Sequence, residues 1–110
     1  MVTPEINRFD VCLVNLDPTQ GSEIRKTRPC VVVSPDEMNH NIRTVIVAPM
    51  TSSQKNYPTW VAVRFQRKSG QVVLDQIRTI DKSRITKVVG KITPRTAQKI
   101  SDSLVELFTY

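Results

Sequence analysis

Apolar and polar side chains alternate in short stretches through most of the chain, and only near its end does the spacing become helical. Phe9, Val11 and Leu13 alternate with Asp10, Cys12 and Val14, so Phe9 to Leu16 reads as a strand with apolar groups on both faces, a central one. Asp17-Pro18 breaks that pattern. Everything from there to Arg28 is polar, with Gly21 free to take a positive φ, which predicts a long loop. Cys30 to Val33 is a continuous apolar run closed by Ser34-Pro35, the pattern of a strand covered on both sides. Asp36 to Asn41 predicts a turn or a single helical turn. Thr44 to Ala48 is the next strand, with Pro49 as its end, and Thr51 to Pro58 is a second polar loop. Thr59 to Phe65 alternates again, with Trp60, Ala62 and Arg64 on one face and Val61, Val63 and Phe65 on the other. Arg67 to Gly70 has the length of a hairpin turn, Val72 to Ile80 reads as one long strand and Ile85 to Val89 as a short one.

The period then changes. Ala97, Ile100, Leu104, Leu107 and Phe108 fall at helical spacing, and Thr93-Pro94 supplies a capping hydroxyl followed by proline at the first helical position. Six short strands and one late amphipathic helix suit a small, strongly bent sheet or barrel, mainly β and α+β overall, which the helix plugs or flanks. Composition agrees, because 24 Val and Ile stand against 8 Leu and Ala, a skew toward side chains that fit a pleated sheet. A chain of 110 residues is expected to form a single domain over 1–110. At that size folding hides roughly two thirds of the unfolded surface, so a core forms without metal or disulfide staples. Cys12 and Cys30 sit in apolar strands and are read as buried thiols rather than a disulfide.

Charge narrows the partners. Sixteen Lys and Arg against ten Asp and Glu give +6 at pH 7, which favours polyanions or acidic proteins. Met1 to Phe9 is interrupted by Pro4, Glu5 and Arg8, unlike a secretion signal, and no membrane-length apolar run follows, so the cytoplasm is the expected compartment. With His40 as the only histidine, a two-histidine acid/base nuclease and a Cys/His zinc site are excluded. No glycine-rich phosphate loop is present. Asp10, Asp17, Asp75 and Asp81 have no partner carboxylate at close spacing, so no metal site and no cofactor is expected. His40, flanked by Asn39 and Asn41, reads as a solvated turn residue.

What remains is the loop from Thr19 to Arg28, with Gln20, Ser22, Glu23, Arg25, Lys26 and Thr27 between two apolar strands. Composition alone favours a solvated surface loop. Arg28, however, directly precedes Pro29 and the apolar run, so its backbone is anchored at the edge of the core while its guanidinium faces the opening. Thr51 follows Pro49-Met50 at the end of another such strand. If the two strands are neighbours, Arg28 and Thr51 emerge on one rim, with Arg25 and Lys26 beside them, as a candidate phosphate site.

Asp17-Pro18-Thr19-Gln20-Gly21-Ser22-Glu23, Thr27-Arg28-Pro29, Val33-Ser34-Pro35, Ala48-Pro49-Met50-Thr51, Tyr57-Pro58 and Asp75-Gln76-Ile77-Arg78-Thr79-Ile80-Asp81, in this order, resemble the MazF/PemK toxins from about Arg8 to the final helix. The resemblance implies an SH3-like barrel and a homodimer. It also implies the toxin half of a type II toxin–antitoxin pair: an endoribonuclease that cuts single-stranded RNA at short motifs without metal, leaving a 2′,3′-cyclic phosphate and a 5′-hydroxyl. By position it implies that Arg28 and Thr51, with Ser52 adjacent, are catalytic and that Glu23 is the loop acid, a tentative general base. Asp75 is a second candidate for that role. RNA contacts are expected from Thr19, Gln20, Arg25, Lys26, Ser52, Asp75, Gln76 and Arg78, joined by Asn15 and by stacking on Tyr57 or Trp60. Arg64, Arg67, Lys68, Lys82, Arg84, Lys87 and Lys91 would widen a basic groove, and an acidic, partly disordered antitoxin would cover it.

Some positions depart from the family pattern. Phe9 and Cys12 stand where many relatives carry Gly and Trp, and Gln71 replaces a frequent aromatic. Ser22 and Val73 replace a His and an Arg that some members use for acid/base work. Two other readings of the same fold stay open: a non-catalytic toxin that poisons DNA gyrase, and a small RNA-binding barrel without activity.

Overall fold

The computed structural model describes residues 5–110. β1 (Asp10–Asn15), β2 (Thr27–Val32) and β3 (Thr44–Thr51) lie side by side and antiparallel, and their period-two alternation sends side chains to both faces of the sheet. Val11, Val31, Ala48 and Met50 enter one core, while Cys12, Val14, Cys30, Val32, Val45 and Val47 enter a second core on the opposite face. A strand with a core on each side has no place for polar residues, which is why Cys30 to Val32 is uninterrupted.

β3 is the branch point of the sheet. Thr44 to Val47 pair with β6 (Arg78–Asp81) and Val47 to Pro49 with β2, whereas its last two residues, Met50 and Thr51, pair with β5 (Lys68–Val73). β5 forms a hairpin with β4 (Trp60–Phe65), and β7 (Ile85–Lys91) pairs with β1 at the far edge. The seven strands, ordered β4-β5-β3-β2-β1-β7 with β6 on β3, make a curled half-barrel. α1 (Asp36–Asn39) is a single turn, as the sequence predicts. α2 (Pro94–Phe108) covers the first core with Ala97 and Ile100, and Leu104 packs at the margin. Its start is capped by Thr93, whose Oγ1 accepts the Thr96 N–H, and Pro94 is the first helical residue. Leu107 and Phe108 share the apolar spacing but not the burial: the last turn outruns the sheet and leaves Phe108 70% exposed.

Four expectations are corrected by the structure. Pro49 does not end its strand, because β3 changes partner there; the pairing with β2 stops at Cys30–Pro49, and β5 takes over at Met50. Val72 to Ile80 is not one strand. A 3-10 turn over Leu74–Gln76 interrupts it and lets Leu74 enter the first core and Ile80 the second. The β4–β5 turn is tighter than expected, since Gln66 and Arg67 both take positive φ and Lys68 already belongs to β5. Finally, β2 begins at Thr27, so Arg28 sits in a strand rather than at the end of a loop. Gly70 is required by close approach, because a Cβ there would lie 2.5 Å from the Thr51 carbonyl oxygen.

Candidate functional site

Arg28 and Thr51 reach one opening just past the point where their strands part. β2 and β3 pair up to Cys30–Pro49, and Arg28 and Thr51 each lie two residues beyond that pair. Both side chains are half-buried and border one cavity of about 510 Å³. Its apolar floor includes Leu13, Met50, Val63 and Phe65, and its rim carries Ser52, Lys68 and Lys87. Arg28 Nε donates to the Arg25 carbonyl at 2.9 Å, which fixes the guanidinium while its terminal nitrogens have no acceptor among the described residues. No carboxylate among those residues forms an ion pair with it. Thr51 Oγ1 accepts the Ser53 N–H at 3.2 Å, so its own hydrogen remains available to donate. A fixed, unpaired guanidinium and a free hydroxyl donor at one rim suit an oxyanion such as a phosphodiester.

Thr51 also borders a second cavity, of about 690 Å³, lined by Ser22, Ile24, Tyr57, Trp60, Asp75 and Gln76 among others. The Tyr57 and Trp60 rings meet edge to face, 5.2 Å between centroids. Asp75 Oδ1 accepts both Thr59 Oγ1, at 2.9 Å, and Trp60 Nε1, at 2.8 Å, so this carboxylate anchors the aromatic wall. A third cavity, of about 400 Å³, shares Ile24, Asp75 and Gln76 with the second and adds Glu23 and Arg78.

The remaining residues singled out from the sequence are not all at the Arg28–Thr51 rim. Glu23 borders only the third of these cavities, and its Oε1 accepts the Gln20 N–H across a tight turn. Thr19, Gln20, Arg25 and Lys26 lie on the loop and border none of the three cavities. Several polar side chains fasten that loop instead. Gln76 Oε1 accepts the Ile24 N–H at 2.8 Å, Arg78 donates to the Leu16 carbonyl at 3.0 Å, and Arg84 donates to the carbonyls of Asn15 and Asp17. Sequence reasoning missed these anchoring contacts, and it missed the buried amide of Gln71, which grips the backbone of Lys55. His40 is exposed, as expected, yet its Nε2 lies 2.9 Å from Asn7 Oδ1.

Asp10, Asp17, Asp75 and Asp81 each accept at least one structural hydrogen bond, and among the described residues no three His, Cys, Asp or Glu side chains converge as metal ligands. The Ser83 N–H holds the Asp81 carboxyl below its ordinary value, and the Arg8 N–H does the same for Asp36. Cys12 and Cys30 are free thiols, each pushed up to about 12, chiefly by burial. No helix among the described residues is long and apolar enough to cross a membrane.

A curled half-barrel with an unpaired arginine and a threonine on one rim defines a small β protein built around a cleft suited to an anion. The model of PemK-like, MazF-like toxins of type II toxin–antitoxin systems matches residues 7–108, and the chain belongs to that family. Endoribonuclease MazF of Staphylococcus saprophyticus is 31% identical over 105 residues, 90% of this chain and 88% of that protein. Among solved structures, MazF from Deinococcus radiodurans is similar with a TM-score of 0.84 at 25% identity, covering 94% of this chain and 96% of that one. A mycobacterial endoribonuclease in complex with its cognate antitoxin has a TM-score of 0.80 at 25% identity, covering 96% of this chain and 98% of that one.

Proposed function

We propose that this toxin is an endoribonuclease that cuts single-stranded RNA at short sequence motifs without a metal ion, and that its antitoxin silences it by laying an acidic segment over the same cleft. The observation that carries the reading is the shared cavity of Arg28 and Thr51. In RNA the 2′-hydroxyl beside each linkage is a built-in nucleophile, so the protein supplies no attacking group of its own. Attack of that oxygen on phosphorus, with expulsion of the 5′-oxygen, leaves a 2′,3′-cyclic phosphate on one fragment and a 5′-hydroxyl on the other. Charge builds on the non-bridging oxygens as the phosphorus becomes five-coordinate. Arg28 offers its terminal N–H groups to that charge and Thr51 its hydroxyl, both fixed before substrate arrives, and such pre-set donors act most strongly on the transition state.

The test is incubation of the purified protein with long single-stranded RNA in EDTA, followed by mapping of the new ends. Cuts at a repeated short motif with cyclic-phosphate and 5′-hydroxyl ends are expected, and they should disappear on adding the cognate antitoxin. Arg28→Ala should lower turnover ~100-fold or more, and Thr51→Ala should lower it in the same direction, each with an unchanged melting curve. Wild-type turnover in a folded Arg28→Ala protein would refute the assignment. RNA bound but left whole would mark a non-catalytic binder, and stabilised gyrase–DNA cleavage a gyrase poison.

A further inference from the structure

Gln71 is one of the few buried polar side chains, only 7% exposed, and it lies on β5 in register with Thr51. Its Oε1 accepts the Lys55 N–H at 2.7 Å, and its Nε2 donates to the Lys55 carbonyl at 2.9 Å. Both ends of one amide therefore hold both backbone groups of a single residue, in the way a strand partner would. Lys55 belongs to the loop after Thr51, and that loop supplies Ser53, Lys55, Tyr57 and Pro58 to the wall of the second cavity. Residues 53–56 belong to no strand, and among the described residues no other hydrogen bond reaches the Lys55 backbone. The whole wall between Thr51 and the Tyr57–Trp60 pair is thus held at its midpoint by Gln71.

We propose that Gln71 is a positioning residue that sets the substrate selectivity of the second cavity, an inference that rests on the endoribonuclease reading above. Thr51 keeps its place through the β3–β5 ladder whether or not the amide is present. Loss of the amide therefore loosens the wall that meets the nucleotide next to the scissile linkage, and leaves the Arg28–Thr51 rim as it was. Two unpaired backbone groups at Lys55 must then turn to water, which draws the loop outward. The consequence is weaker and less selective RNA binding with little change in the chemical step.

The experiment compares wild type with Gln71→Met, which keeps the length of the side chain and removes both hydrogen bonds. Amide exchange at Lys55 is followed by NMR, and KM, kcat and the cut sites are measured on RNA. In Gln71→Met the Lys55 amide should exchange on the order of tenfold faster. KM should rise ~10-fold with kcat within ~3-fold of wild type, and cuts should spread to sequences that wild type ignores. If Gln71→Met does not fold, Gln71→Val, which a strand accepts readily, serves instead. Unchanged exchange at Lys55, or faster exchange with unchanged KM and cut sites, overturns the inference. A fall in kcat at constant KM overturns it too, because the residue would then act on the chemistry. Failure of the underlying reading is distinguishable: wild type itself would leave RNA intact, and the selectivity role would fall with it.

Discussion

Phe9 holds a φ of +68°, a left-handed conformation that an L side chain pays for with about 1–2 kcal/mol relative to glycine. It is kept there by its own backbone, since its N–H donates to the Val32 carbonyl and its carbonyl accepts the Ile92 N–H, and by its ring, which packs on the first core under the Arg8 guanidinium. A glycine would hold this backbone without strain, and this chain instead offsets the strain by packing a partly buried ring against the core. Glu23 is likewise held by a local contact. One carboxylate oxygen caps the Gln20–Glu23 turn, and the residue borders a different cavity from Arg28. Glu23→Gln preserves that acceptor and removes the charge, so turnover should stay within ~10-fold of wild type while Arg28→Ala loses ~100-fold. Initial rates on one RNA at pH 7 decide it: a loss in Glu23→Gln as deep as that in Arg28→Ala would give Glu23 the proton-removing role. Arg28 and Thr51 were legible in the sequence because each adjoins an apolar run that had to be a buried strand. The anchoring contacts of Gln76, Arg78 and Arg84, which read as RNA-facing or groove residues, were not, because their backbone partners lie 52, 62 and up to 69 residues away, and no local pattern encodes such a contact.

At the scale of elements, alternation and helical spacing mark every strand region and α2, and the mismatches at Pro49 and within Val72 to Ile80 fall where a strand changes neighbours. Pro49 reads as a terminator because it lacks an N–H, yet it occupies the point at which β3 leaves β2 for β5. Val72 to Ile80 reads as continuous because both halves are apolar, and only the need to feed two cores breaks it at Leu74–Gln76. The β4–β5 turn was misplaced for a different reason: neither Gln66 nor Arg67 is a residue that announces positive φ, although they take +51° and +66°. That mismatch makes a prediction for the hairpin. Arg67 is exposed and bends the chain at a conformational cost that glycine does not carry. Arg67→Gly should therefore stabilise the protein by about 0.5–1 kcal/mol, read as a higher urea midpoint with an unchanged slope. A lower midpoint would mean that the arginine side chain contributes more than its backbone costs.

Considered whole, the molecule is a sheet with a core on each face, and the second core contains a pair of thiols facing each other across β1 and β2 at Cys12 and Cys30. Burial, reinforced by Asp10 for Cys12 and by Cys12 for Cys30, pushes both from 9.0 up to about 12, while Arg78 and Arg28 pull Cys30 partly back. The unfolded chain, with ordinary thiols, releases these protons near pH 9, whereas the folded chain keeps them until about pH 12. Between those limits the native state binds more protons than the unfolded state, so stability must fall as pH rises, by ~1.4 kcal/mol per pH unit for each thiol. Below pH 9 both states are protonated and this contribution is constant. Urea unfolding at intervals from pH 8 to pH 11 checks the linkage, with Cys30→Ala as the comparison because other groups also titrate in that range. The variant starts lower, having lost packing in the second core, but its stability should decline less steeply than wild type by about one thiol's share. Parallel curves would mean that Cys30 ionises as readily in the folded protein as in the unfolded chain, and would overturn the linkage.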